Sequence, residues 1–108
     1  MGFSEKIAEH RIEQCKKNIV KFEEAEEAER ETIREYRDMI DSNVSPFPVE
    51  SLKNGIEQAK NKIVIFQKAA NTERESIKNL YSQIEHNQKQ EVIDKLKSES
   101  IEIIRENG

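Results

Sequence analysis

The chain has 108 residues, of which 37% are charged and 34% hydrophobic, with a formal net charge of −4. So few apolar residues exclude a thick globular core and suit helices that each bury one stripe, while weak net acidity argues against a nucleic-acid binder, which needs a basic face. A single cysteine excludes an intramolecular disulfide, and the opening Met-Gly-Phe-Ser-Glu-Lys has no apolar signal segment, so the expectation is a cytoplasmic protein.

Glu, Lys, Gln, Ala, Arg and Ile dominate, with three glycines, two prolines and no tryptophan, and no stretch alternates like a strand. The fold class is therefore all-α. The longest aliphatic-aromatic run, Ile63-Val64-Ile65-Phe66, is far short of the roughly 20 residues that cross a membrane. Abundant Ile, Lys, Glu and Asn points to an AT-rich genome and hence to a low-GC bacterium or its phage.

The first predicted element covers 12–43, and the same pattern returns at 56–87 with a constant offset of 44 and no gap. Ile12/Ile56, Lys16/Lys60, Ile19/Ile63, Val20/Val64, Phe22/Phe66, Ala25/Ala69, Glu29/Glu73, Arg30/Arg74 and Ile33/Ile77 match across the copies. Polar positions match as well as apolar ones, which makes this a tandem repeat. In the first copy a coiled-coil seam runs through Ile12, Ile19, Glu26, Ile33 and Ile40 at positions a and Cys15, Phe22, Glu29 and Tyr36 at positions d.

Between the copies, Asp41-Ser42-Asn43 and the two prolines of Val44-Ser45-Pro46-Phe47-Pro48-Val49 end the first helix, so the loop is placed at 43–49. Pro48 suits the first turn of the next helix. A connection this short makes the two long helices antiparallel neighbours. The second seam takes Ile56, Ile63, Ala70, Ile77 and Ile84 at positions a and Leu52, Ala59, Phe66, Glu73 and Leu80 at positions d. Asn54-Gly55 is a weak point where the helix could begin in earnest.

After Asn87 the apolar phase shifts to Val92, Ile93, Leu96, Ile101, Ile103 and Ile104. This predicts a turn at 87–90 and a shorter third helix over about 90–106, although no Gly or Pro forbids a continuous helix. The predicted architecture is one domain, 1–108: an antiparallel hairpin of two duplicated helices plus a shorter C-terminal helix in a coiled-coil-like three-helix arrangement. A third helix of that length cannot cover the whole seam, so a homo-oligomer or a protein partner is expected to cover the rest.

Chemistry is sought where the seam breaks its own pattern. Glu26, Glu29 and Glu73 take core positions near the pseudo-two-fold axis expected at Ala25 and Ala69, with Arg30 and Arg74 beside them. An Arg–Glu network that sets register is the plain reading. Capture of a small anionic or phosphorylated ligand by Arg30 and Arg74 at a subunit junction is the alternative. A carboxylate metal site would need Glu-x-x-His, which is missing, so no metal and no cofactor is expected. Ile19, Phe22, Ile63 and Phe66 are expected to be buried together.

His10 and His86 fall at the end away from the loop, and two histidines make an incomplete metal site. Cys15, matched by Ala59, reads as a small buried thiol. Arg30, Arg34 and Arg37 line one stripe, with Asp38 and Asp41 placed to pair with Arg34 and Arg37; the stripe reads as a solvated face or as a dock for an acidic partner. Phe47 at the loop tip packs on the helix ends or meets a partner. No phosphate loop, nucleophile elbow or Cys–His spacing appears, so the chain is not read as an enzyme. The functional expectation is a protein-binding adaptor or small inhibitor.

Overall fold

The computed structural model describes the backbone of residues 3–43 and 45–107 and the side chains of 4–43 and 45–99. Two helices account for it: α1, Phe3–Ser42, and α2, Val49–Asn107, packed against each other as a hairpin. Its principal extents are 92 × 15 × 14 Å. The long dimension is α2 itself, since 59 residues rising about 1.5 Å each make roughly 88 Å.

The loop forms where local chemistry demands it. Ser42 Oγ donates to the Met39 carbonyl at 3.3 Å, and Asn43 then turns left-handed at φ 55°, a conformation asparagine tolerates at the residue after a helix. Phe47 N–H donates to Ser45 Oγ at 3.0 Å. The Pro48 carbonyl accepts the first bond of α2 from Leu52 N–H at 3.2 Å. Pro48 thus stands one residue before the helix, at its cap, and its missing N–H costs nothing there.

Apolar residues three and four apart supply the packing. Ala8, Ile12, Ile33, Leu52, Ile56, Ala59, Ile63 and Ala70 are buried, and the other expected seam residues, from Cys15 and Ile19 to Leu80 and Ile84, are half-buried. Ile33, Ile56, Ala59 and Ile63 form one cluster toward the loop, with Tyr36 and Ile40 packed against it. Ile63 therefore packs with Ile33 and not in one group with Ile19, Phe22 and Phe66, which are half-buried.

The register follows from contacts across the hairpin. Tyr36 lies on Gly55 and Glu29 beside Lys62, so residue i of α1 faces roughly residue 91 − i of α2. Gly55 does not start the helix; α2 passes through it. A Cβ there would stand 2.5 Å from Tyr36 Cε2, so the glycine makes room for the ring.

The expected turn at 87–90 and separate third helix are not there: α2 runs unbroken to Asn107. Gln88-Lys89-Gln90-Glu91 are all good helix formers, and the change of apolar phase rotates the stripe around the same helix without ending it. Because α1 starts at Phe3, α2 overshoots it from about residue 89 onward, and every described residue of 88–99 is exposed. No helix folds back over the seam among the described residues. None of the described helices is long and apolar enough to cross a membrane.

Candidate interaction surfaces

The repeat gives the hairpin a pseudo-two-fold axis perpendicular to its plane, passing about midway along the helices between Phe22 and Ala25 and between Phe66 and Ala69. Both rings line a central groove of about 340 Å³ with Glu26, Ala70, Glu23 and Arg74. Ala25 and Ala69 are half-buried on the opposite side, where small side chains let the helices approach.

The three seam glutamates are half-buried, and each has a partner. Glu26 accepts from Arg30 Nη2 at 3.3 Å. Glu29 lies 3.8 Å from Lys62 Nζ. Glu73 takes the Cys15 thiol as a hydrogen-bond donor, which with burial and the negative charge of the same carboxylate pushes the thiol pKa up; less thiolate at neutral pH makes Cys15 a poor nucleophile. The carboxylate that is fully sequestered is one the pattern did not single out. Glu5 is 3% exposed and its Oε1 has no hydrogen-bond partner among the described residues. It continues the a series one heptad before Ile12, and it sits in the first turn of α1, where the helix dipole favours an anion.

The pseudo-symmetry is broken at its ion pairs. Arg74 Nη2 donates across the hairpin to Glu23 at 2.8 Å and Nη1 donates to Asn71 at 2.8 Å. The equivalent pair would be Arg30 with Gln67, and Gln67 carries no charge, so Arg30 turns to Glu26 on its own helix. Arg30 and Arg74 consequently border different grooves of one chain.

Along the arginine stripe, Arg34 reaches backward to Glu27, at 2.8 Å, and to Glu31, instead of forward to Asp38. These carboxylates, Glu27 foremost, hold its guanidinium pKa above the ordinary arginine value. Arg37 makes no ion pair among the described residues, so its expected bridge to Asp41 is not formed. Phe47 is 59% exposed and borders a groove with Tyr36, Leu52 and Gly55. His10 and His86 are exposed, and among the described residues no three potential ligands come together for a metal ion.

The two broad faces differ. On one, heptad positions e and b are exposed: Lys16, Val20, Glu23, Glu27, Arg30, Arg34 and Arg37 from α1, and Lys60, Val64, Gln67, Asn71, Arg74, Lys78 and Tyr81 from α2. On the other, positions g and c bring Ala25, Ala28, Thr32 and Met39 beside Gly55, Ile65, Ala69, Thr72 and Ser76, with few charges. Val20 and Val64 are 52% and 47% exposed and occupy equivalent places in the repeat. That identity was the sequence signal for this surface. Comparison of the chain with family models, curated proteins and solved structures finds no match.

Proposed function

We propose that the chain is a non-enzymatic helical interaction module, an adaptor or small inhibitor that self-associates in a coiled-coil-like assembly and presents a helical face to another protein. The observation that carries this reading is the half-covered seam. Ile19, Phe22, Phe66, Ile77, Leu80 and Ile84 keep part of their surface in water, and no further helix lies over them among the described residues. An apolar stripe of that length favours burial against a second chain. The charge-poor face with Ile65, which is 62% exposed, suits a second copy, because little charge must be desolvated there.

Sedimentation equilibrium tests the reading. A mass of at least twice the 12.6 kDa chain at micromolar concentration is expected, and a monomer at about 100 µM would overturn it. Sequestration of a small anionic ligand draws less support, since Arg30 and Arg74 are each held by a glutamate of the same chain and would have to converge across subunits.

A further inference from the structure

We propose that the charged face of the hairpin is a docking surface for an acidic amphipathic helix, which it takes in two grooves related by the duplication; this names the partner chemistry of the interaction module and rests on that reading. The groove nearer the loop has an apolar floor of Ile33, Ile63 and Val64 and is an open depression of about 390 Å³. Arg30, Arg34, Arg37 and Lys60 rim it. Arg30 and Arg34 are engaged by Glu26, Glu27 and Glu31, whereas Arg37 and Lys60 make no ion pair among the described residues. A chain of net charge −4 thus gathers four cations around one apolar slot, two of them without an ion-pair partner among the described residues.

The repeat supplies an independent observation. Moving each groove residue by 44 positions gives Ile77, Ile19 and Val20 for the floor and Arg74, Lys78, Tyr81 and Lys16 for the rim. Three of four cations and the whole floor type survive duplication, although the rim positions lie off the hairpin seam and pack nothing in it; in the second groove Arg74 is engaged by Glu23 and Lys16 by Glu13, and Lys78 is the rim cation with no ion pair among the described residues. Because the pseudo-two-fold is perpendicular to this face, both grooves open on the same side, about 22 Å apart for roughly 15 residues of helix rise.

A second copy is a poor occupant. Stacked face to face in either direction with full overlap, two copies bring the basic clusters around Arg74 and around Lys60 onto one another. A nucleic acid is also a poor occupant: it would leave the apolar floor empty, and its evenly spaced phosphates would run over Glu23, Glu27 and Glu31, whereas a helix can confine its carboxylates to the positions that meet Arg37 and Lys60. A helix with an aliphatic residue for Val64 and carboxylates for Arg37 and Lys60 satisfies both features.

The test is isothermal titration of the full chain with a synthetic helical peptide of about two heptads, short enough for two to lie along the face, with Leu at the a and d positions and Glu flanking them, against its twin with Lys for every Glu. The Leu/Glu peptide should bind at two per chain and at least tenfold more tightly than the Leu/Lys twin. Arg37→Glu with Lys60→Glu should reduce this to one per chain, with unchanged circular dichroism and sedimentation. Absence of binding, equal binding of the two peptides, a stoichiometry the double variant leaves untouched, or a DNA duplex that binds more tightly and is lost in the same variant would each overturn the proposal. Sedimentation of the same samples separates the two claims: a monomer that still takes two peptides removes self-association and keeps the docking surface, and a dimer that takes none does the reverse.

Discussion

Gly55 lies inside a helix, where a glycine ordinarily costs about 1 kcal/mol against alanine. Its place opposite the Tyr36 ring, with 2.5 Å between a would-be Cβ and Cε2, makes it a packing residue. Alanine at this position therefore gains helix propensity and loses ring packing. Gly55→Ala should destabilise the chain by about 1 kcal/mol, and in a Tyr36→Ala background it should stabilise it by about 1 kcal/mol. Denaturant unfolding of the four proteins in this cycle checks the coupling; equal effects in both backgrounds would show that the ring does not need the glycine. Charged residues contribute less. Arg74 and Glu23 are half exposed to solvent, and pairs of this kind are worth about 0–1 kcal/mol, so the ion pairs fix orientation more than stability.

At the scale of the helices, the repeat and its 3–4 spacing carried the hairpin, because burying one stripe per helix is what the periodicity encodes. Every seam position from Ile12 to Ile40 and from Leu52 to Ile84 is buried or half-buried. The end of α2 was harder to read. A shift of apolar phase at Val92, Ile93 and Leu96 looks the same whether the chain turns or the stripe rotates around one helix, and only a glycine or proline would have decided it. The candidate site was legible in part. Arg30, Arg34 and Arg37 marked the charged face, but Lys60 completes it from the other helix, and side-chain pairing follows rotamers that spacing does not specify. Removing residues 90–108 tests the unbroken helix. Unfolding free energy should change by less than about 0.5 kcal/mol, as for surface changes that touch no core, while helical ellipticity falls with the lost residues. A loss of several kcal/mol would mean that this segment packs on the hairpin.

The whole molecule is a rod of radius of gyration 25.9 Å with an apolar seam along most of its length and a helical extension at one end. Two rods that cover each other's seams must lie side by side. Joined through their extensions alone, they would leave the seams in water and nearly double the length. Small-angle X-ray scattering reads mass and longest dimension from one sample. Side-by-side pairing predicts twice the 12.6 kDa chain mass, with a longest dimension between the 92 Å of one hairpin and about 120 Å, the value for antiparallel rods whose extensions project at opposite ends. A mass of one chain, or a dimer approaching twice the single-hairpin length, would contradict it.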